Sequence, residues 1–328
     1  MSKHFADRLA AACREKKSIL CVGIDPQIEL MPKCFTLKYA AQMSSGLAPM
    51  ADRAVYRTMF EDFVSLLIDA TEEFAAVVKP NLGFSLEYGG QSVEAYEFAG
   101  AQAQRRGLVV INDAKCDDGS DTAKAHARAH LGPANGLGRD GGIVPIRSPI
   151  QADAVTVEPR LGVNCLGPFA NAAGDGTRGM FVFVRTSFTD PTVEDLKLES
   201  GDYVWQHFGR ETAKLARAAL VGNSGYCSVG AVVGANRAED ARWLRELLPN
   251  SIFLAPAIGK QLASYDDAVA AAGPDGLGVV ANDGRRIMYA GTKNPDLTLE
   301  GWQDAMRAAA KASRDGLNEA LARAGKSL

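Results

Sequence analysis

The sequence lacks the features that mark membrane, disulfide-stapled and nucleic-acid-binding proteins. None of its apolar runs is long enough to span a bilayer, and the amino-terminal segment MSKHFADRLAAACREKK has no apolar core of the secretory type. No C-x-x-C pair occurs among the six cysteines, which is typical of reduced thiols. There is no basic block and the net charge is only −3, so neither nucleic acid nor a membrane surface is favoured as a partner. We therefore expect a cytoplasmic protein.

What the sequence does contain is a series of short apolar, β-branched runs, each ending in glycine, proline or charged residues. Near-continuous apolar runs are typical of strands that are covered on both faces, as in a parallel sheet. With 47 % hydrophobic and 23 % charged residues, the chain can build a large core around such a sheet. The predicted strands cover residues 18–26, 75–83, 107–115, 152–159, 179–187, 228–235, 252–259 and 276–285.

Helical patterns lie between most of these runs. Residues 53–73 repeat aromatic and aliphatic side chains at helical spacing, and residues 238–248 and 299–324 are also predicted helices. Eight strands alternating with helices predict the α/β class and a (β/α)8 TIM barrel, with residues 1–328 forming a single domain. The rival, a doubly wound sheet, is disfavoured because no predicted strand is followed by G-x-G-x-x-G.

Two segments exceed what a minimal barrel needs. Residues 131–149 are rich in glycine and proline, and they predict a long inserted loop between the third helix and the fourth strand. Residues 188–202 follow the fifth strand and are polar, which makes them a candidate lid over the site.

Charged side chains cluster where the third predicted strand ends. Asp113 and Lys115 are two residues apart and share a face of the strand, while Asp118 follows in the turn before a helix. Barrel enzymes carry their chemistry at this carboxyl rim, so a functional cluster is the favoured interpretation. The alternative is a strand-end salt bridge with a helix N-cap at Asp117, Asp118 or Ser120. Other strands also end in polar residues, namely Asp25, Lys79, Ser187 and Arg285.

The last two strands predict a phosphate site. The stretches APAIGKQ (255–261) and NDGRR (282–286) are glycine-containing loops at the positions where barrels commonly bind phosphate. Backbone amides near Gly259 and Gly284 could approach an anion, and Arg285 supplies a bidentate guanidinium.

These motifs, taken in order, resemble a known family. The chain contains VGIDP with Asp25, VKP with Lys79, D-x-K-x-x-D from Asp113 to Asp118, RTS with Ser187, P-x-I-G-x-Q from Pro256 to Gln261, and a late Gly284-Arg285 pair. This series resembles the orotidine 5′-phosphate decarboxylases, in particular their longer bacterial (type 2) branch, over nearly the whole chain. D-x-K-x-x-D alone also occurs in related barrels that act on sugar phosphates.

The resemblance implies a cofactor-free conversion of orotidine 5′-monophosphate to UMP and CO2 in de novo pyrimidine biosynthesis. It implies that Lys115 stabilises a carbanion at C6 and protonates it, within a catalytic tetrad of Lys79, Asp113, Lys115 and Asp118. It further implies a homodimer with shared active sites, reached across the interface by Asp118 and Thr122. The substrate-binding residues that it implies are Asp25, Thr122, Ser187, Pro256, Gln261, Gly284 and Arg285.

Two other functions remain open at this point. A barrel aldolase or synthase acting on a pentulose phosphate would use the same D-x-K-x-x-D motif with Mg²⁺, and Glu158 is its candidate extra ligand. A catalytically silent nucleotide-binding paralogue is the second alternative. His126 and His130 lie one helical turn apart, but the sequence shows no third ligand near them, so we expect ordinary helix residues and no metal.

Overall fold

A computed structural model of the chain describes residues 3–44, 52–258 and 263–328. Eight of its strands form a closed barrel in which every neighbouring pair is parallel, in the order β1-β10-β9-β8-β7-β6-β3-β2. The predicted TIM barrel is therefore confirmed. The strands are β1 (Leu20–Ile24), β2 (Val77–Pro80), β3 (Val109–Cys116), β4 (Ala134–Leu137), β5 (Ile143–Ile146), β6 (Ala154–Val157), β7 (Gly179–Arg185), β8 (Val229–Val233), β9 (Phe253–Ala255) and β10 (Val279–Asn282).

Helices surround this barrel, and three of them match the helices expected from periodicity to within two residues at each end. They are α3 (Arg53–Thr71), α9 (Ala238–Leu247) and α12 (Leu299–Arg323). The helices are α1 (Phe5–Lys16), α2 (Lys33–Ala40), α3 (Arg53–Thr71), α4 (Leu82–Leu86), α5 (Gly90–Arg105), α6 (Ser120–Leu131), α7 (Val163–Ala172), α8 (Val204–Ala218), α9 (Ala238–Leu247), α10 (Tyr265–Ala268), α11 (Arg285–Met288) and α12 (Leu299–Arg323), with 3₁₀ turns at Ile28–Leu30 and Val193–Asp195.

The barrel strands are mostly apolar because both of their faces are covered. All residues of β1, β6, β8 and β9 are buried. Helix α1 packs Phe5 against Phe181, with ring centroids 6.1 Å apart, close to the amino end of β7. A side chain at Gly179 would collide with that phenyl ring, which explains the glycine there. The charged residues of the strands therefore lie at or near the carboxyl ends, where the barrel opens.

The inserted segment differs from the expectation for residues 131–149. Instead of an irregular loop, β4 and β5 pair as an antiparallel hairpin, with Ala134 opposite Ile146 and Leu137 opposite Ile143. The tip is built from Gly138, Asp140 and Gly142, where Gly138 and Gly142 are joined by a backbone hydrogen bond of 2.8 Å. Glycine and proline indicate a turn here, but the strands on either side of it are only four residues long and give little strand signal in the sequence.

The candidate lid, residues 188–202, is bound to the barrel beside the end of β7. Glu194 is buried and its carboxylate accepts hydrogen bonds from the backbone N–H and the hydroxyl of Thr186, at 2.9 and 3.1 Å. Arg185 at the end of β7 pairs with both Glu194 and Asp195. The segment also exposes Phe188 to solvent. Its role as a lid stays a prediction.

Among the residues that the structure describes, none of the helices combines the length and apolar character needed to cross a membrane.

Candidate active site

Three of the predicted site residues form a continuous ionic network at the carboxyl rim of the barrel. Asp113 on β3 accepts from the Lys79 ammonium on β2 through one carboxylate oxygen and from the Lys115 ammonium through the other, the latter at 2.6 Å. The side chains of Lys79 and Asp113 are 6 % and 8 % exposed, whereas that of Lys115 is 43 % exposed. A buried carboxylate is therefore held between a buried ammonium and one that faces the mouth of the barrel.

The electrostatics of this network keep its buried groups ionised. Burial alone would raise the pKa of Asp113, but Lys79 and Lys115 outweigh it, so the net pKa lies well below the usual range. Burial alone would lower the pKa of Lys79, but Asp113 and Asp25 reverse that effect and raise the pKa above its ordinary value. The site thus holds fixed charges of both signs in a largely dry environment.

The backbone at Lys115 adopts a conformation that non-glycine residues rarely use. Its φ is +47°, and the β3–β6 register shifts between Asn112 and Cys116. The Lys115 N–H donates to the Thr156 hydroxyl at 3.0 Å, and that hydroxyl donates to Asp113 at 3.1 Å. Thr156 therefore supports both the strained backbone and the carboxylate. Strain of this kind is typical of functional sites.

Sequence reasoning missed two residues of this site, Thr156 on β6 and Phe183 on β7. The Lys115 ammonium lies 5.5 Å from the centroid of the Phe183 ring, within the range of a cation–π contact. Both residues sit inside apolar runs that are typical of buried strands. The one available signal was their place near the carboxyl end of a predicted strand, beside the strand that carries the charged cluster.

Asp25 lies just past the end of β1 and is half-buried beside the network. Burial raises its pKa, and the nearby Lys79 ammonium opposes that effect. One of its carboxylate oxygens, Oδ1, is buried without a hydrogen-bond partner in the described part of the chain. An unpaired buried carboxylate oxygen is costly unless a ligand donates to it. Asp25 is thus a ready acceptor for a hydroxyl group.

Gly284 and Arg285, two of the predicted phosphate-site residues, line a cavity of about 330 Å³, which is within the range of small-molecule sites. The loop after β10 approaches β1 closely at Gly23, because a Cβ on Gly23 would lie 3.3 Å from the Gly284 Cα. Within the described ranges the side chain of Arg285 makes no hydrogen bond or ion pair and is exposed, whereas that of its neighbour Arg286 is bound to the buried Asp283 and to Ser313. The cavity is lined by Asp25, Ala257, Ile258, Asn282, Gly284, Arg285 and Arg286.

Ser187 and Pro256 lie on the same rim, at the ends of β7 and β9. Asn236 donates to the Ser187 carbonyl at 2.9 Å, and the Pro256 carbonyl accepts from Ala235 at 3.0 Å. Both residues are half-buried, so each leaves part of its surface to the barrel mouth. The predicted phosphate ligand Gln261 and the loop residue Gly259 lie outside the described residues.

Asp118 is not joined to the other members of the expected tetrad in a single copy of the chain. Its side chain accepts from the N–H of Gly119 at 2.6 Å, and both it and Thr122 are exposed. Asp117, the other candidate acid, is instead paired with Arg160 at 3.0 Å. Of the possible N-caps, none makes a side-chain cap hydrogen bond at the start of α6, where Gly119 takes the cap position.

The geometry does not match the Mg²⁺ site expected for a barrel aldolase or synthase. Both Asp113 oxygens already accept from ammonium groups. Burial raises the pKa of Glu158, with the Arg160 guanidinium opposing. In the described ranges, groups of three or more possible metal ligands include neither Glu158 nor Asp113. Instead, Cys116 lies beside His126 and His130, which corrects the expectation that these histidines have no third ligand nearby.

Comparison with known proteins identifies relatives over almost the whole chain. No family model matches the chain. It is 34 % identical over 310 residues to an orotidine 5′-phosphate decarboxylase of Rhodopirellula baltica, covering 93 % of this chain and 96 % of that protein. It is 32 % identical over 321 residues to the enzyme of the same name from Deinococcus radiodurans, covering 98 % and 99 %.

Solved structures share the fold. The OMP decarboxylase of Leishmania donovani superimposes with a TM-score of 0.66 at 24 % identity, covering 97 % of this chain and 98 % of that one. The orotidine 5′-monophosphate decarboxylase of Plasmodium berghei gives a TM-score of 0.72 at 18 % identity, covering 98 % and 99 %. With sequence relatives above 30 % identity across almost its full length, the chain belongs to the orotidine 5′-phosphate decarboxylase family.

Proposed function

We propose that this protein decarboxylates orotidine 5′-monophosphate to UMP and CO2, the final step of de novo pyrimidine biosynthesis, without a cofactor. The observation that supports the proposal best is the buried Asp113 carboxylate held between two ammonium groups, one of which, Lys115, faces the barrel mouth. Such an array can stabilise negative charge on a ring carbon that water alone would leave very unstable.

In the proposed reaction, the bond between C6 and the carboxylate carbon breaks and its electron pair stays on C6. The Lys115 ammonium lies at C6, stabilises that carbanion and then transfers a proton to it, and the resulting neutral amine is reprotonated from solvent. Asp113 lies beside the departing carboxylate. It also orients the Lys115 ammonium toward C6, because the two side chains are already joined by a hydrogen bond. Thr156 holds both groups in place through its two hydrogen bonds.

The ribose would bind where Asp25 and Lys79 meet. The unpaired Oδ1 of Asp25 accepts a hydrogen bond from a sugar hydroxyl in this proposal, which removes the cost of leaving it unsatisfied. The Lys79 ammonium has further N–H donors beyond the one given to Asp113. The base would be held by Ser187 and Pro256, with residues 188–202 closing over it.

The phosphate would bind Arg285, Gln261 and the backbone at Gly284. Arg285 supports this proposal because its guanidinium is unengaged in the described part of the chain and borders the same cavity as Asp25. Binding energy from a phosphate remote from the breaking bond can be used to hold the base and close the loops. Losing a phosphate contact should therefore lower kcat as well as raise KM.

Arg285→Ala is expected to lower kcat/KM for orotidine 5′-monophosphate by between about tenfold and a hundredfold, the usual range for one charge-assisted hydrogen bond. Steady-state kinetics measure the change, and thermal unfolding checks that the protein remains folded. Lys293→Ala, which removes an exposed cation from the following loop, is the charge-matched control. Unchanged kinetics in Arg285→Ala would remove this residue from the phosphate site.

We further propose a homodimer whose active sites are shared. Asp118 and Thr122 support it, since both are exposed at the mouth of the barrel and neither contacts the Lys79–Asp113–Lys115 network of its own chain. In the dimer, Asp118 completes the tetrad of the partner's site and Thr122 contacts the substrate bound there.

Mixing Lys115→Ala subunits with Asp118→Ala subunits should restore activity that neither variant has alone. Each mixed dimer would contain one site with an intact Lys115 and an intact Asp118, so random exchange gives up to about a quarter of wild-type activity per chain. Decarboxylation is followed after mixing, and subunit exchange is verified with a labelled chain. If exchanging subunits show no recovery, each site is built from one chain.

The most direct test of the proposed function is an ultraviolet assay of purified protein with orotidine 5′-monophosphate, with and without a chelator. Turnover that the chelator leaves unchanged supports decarboxylation as proposed. Turnover of a pentulose phosphate that is lost in chelator would instead identify the Mg²⁺-dependent alternative. Binding of UMP without turnover would identify a catalytically silent paralogue.

A further inference from the structure

A second cluster of reactive side chains lies directly behind the proposed active site. Cys116 ends β3, one residue after Lys115, while His126 and His130 lie on successive turns of α6. One ligand atom from each of the three side chains lies within 4.8 Å of the other two. Cys116 and His130 are buried and His126 is half-buried. None of these residues has a part in the proposed decarboxylation.

We propose that Cys116, His126 and His130 bind one Zn²⁺ ion. A thiolate with two imidazoles is a ligand set that suits zinc, and the i, i+4 spacing places both rings on one face of the helix. Tetrahedral zinc needs its ligand atoms roughly 3.3–3.6 Å apart, so modest side-chain rotations from the present positions would close the site. The fourth position would be taken by water, because His126 leaves one side partly open to solvent.

The surroundings of His130 determine how the ion would be held. Its Nδ1 lies 3.0 Å from the side-chain nitrogen of Asn112, which also donates to the Ile150 carbonyl at 2.7 Å. Nε2 is thus the ring atom left for the ion. With zinc on Nε2, Nδ1 carries the proton, so the Asn112 amide must turn its oxygen toward the ring. Zinc binding would therefore reverse the direction of the Asn112–His130 hydrogen bond and remove the one from Asn112 to the Ile150 carbonyl.

The ion would stabilise the fold and would take no part in the proposed reaction. It would link the end of β3, immediately beyond the strained Lys115 backbone, to the second half of α6. Because a bound ion stabilises the folded state in proportion to its affinity, zinc should raise the unfolding temperature. This inference does not depend on the proposed reaction, since metal content and stability can be measured without substrate.

Cobalt is the probe for the test, because a thiolate bound to Co²⁺ gives a charge-transfer absorption band. The full chain carries Cys34→Ser, which removes the exposed thiol. It is prepared without metal and under reducing conditions. We expect a band that saturates at one Co²⁺ per chain and is removed by Zn²⁺, together with a higher unfolding temperature in Zn²⁺. The band should be lost when Cys116→Ser is added.

His126→Gln provides a second variant that does not disturb the core, since His126 is half-buried. It should weaken Co²⁺ binding by at least about tenfold and cancel the rise in unfolding temperature with Zn²⁺. The matched control is His207→Gln, which replaces an exposed histidine on another helix. This variant should change neither the affinity for Co²⁺ nor the rise in unfolding temperature with Zn²⁺. The proposal is overturned if no band forms, if the band survives Cys116→Ser, or if His126→Gln binds Co²⁺ as tightly as His207→Gln.

Discussion

Lys115→Ala is expected to lower kcat/KM for orotidine 5′-monophosphate by at least about 10⁴-fold. Two effects are lost together in this variant, namely the cation that stabilises the C6 carbanion and the acid that protonates it. Each is worth about 10²-fold or more in enzymes where one such group has been removed. The ultraviolet assay measures the change, with enough enzyme to detect a rate lowered by that factor.

The fold should survive this substitution. The Lys115 side chain is 43 % exposed, and without it Asp113 keeps its contact with Lys79, so no buried charge is left unpaired. Thermal unfolding of Lys115→Ala is compared with that of Lys124→Ala, which removes an exposed lysine from α6. Substantial residual turnover by folded Lys115→Ala would refute its role as proton donor.

Lys115→Arg separates the two effects. A guanidinium keeps a positive charge beside Asp113 but does not give up a proton at ordinary pH. If charge stabilisation alone were enough, this variant would retain much more activity than Lys115→Ala. We expect both variants to be similarly inactive, because the carbanion must be protonated and the planar group does not fit the position of the ammonium.

The barrel itself could be predicted because its strands are buried on both faces and therefore appear as continuous apolar runs. The pairing of Asp113 with Lys115 could also be predicted, since residues two apart on a strand share a face. Thr156 and Phe183 could not be predicted. Their contacts with the network depend on how β3 is aligned with its neighbours and on the irregular backbone at Lys115, which a single sequence does not specify.

The Cys116–His126–His130 cluster was missed for a similar reason. Sequence spacing placed the two histidines on one helix face, but Cys116 approaches them only because β3 ends next to α6. The inserted hairpin was missed because glycine and proline obscured two strands of four residues each. Tertiary packing, rather than local preference, decides both features.

Asp113→Asn is expected to destabilise the fold by about 3 kcal/mol as well as to abolish decarboxylation. The substitution keeps the shape of the side chain but leaves the Lys79 ammonium buried, with only Asp25 as a nearby anion. Breaking a buried ion pair by removing one partner usually costs about 3–5 kcal/mol, and Asp25 should reduce that cost. Denaturant unfolding measures the free energy of unfolding at neutral pH.

The matched control removes both buried charges of the pair. Lys79→Met together with Asp113→Asn leaves no buried unpaired ammonium, because Lys115 is largely open to solvent, so the double variant should recover most of the lost stability while remaining inactive. Recovery of stability without activity would show that the buried charges serve catalysis rather than folding. If the double variant is as unstable as Asp113→Asn, the loss arises from packing and not from the unpaired charge.

The effect of pH on this comparison has a definite sign. Because the folded pKa of Asp113 lies below its unfolded value of about 4, ionised Asp113 stabilises the fold above that pH. This contribution is lost as the pH falls toward the folded pKa, since the unfolded chain then takes up the proton first. The difference in unfolding free energy between wild type and Asp113→Asn should therefore be constant near neutral pH and shrink as the pH falls below about 4. A difference that stays constant down to pH 3 would mean that Asp113 is not held ionised by its two lysines.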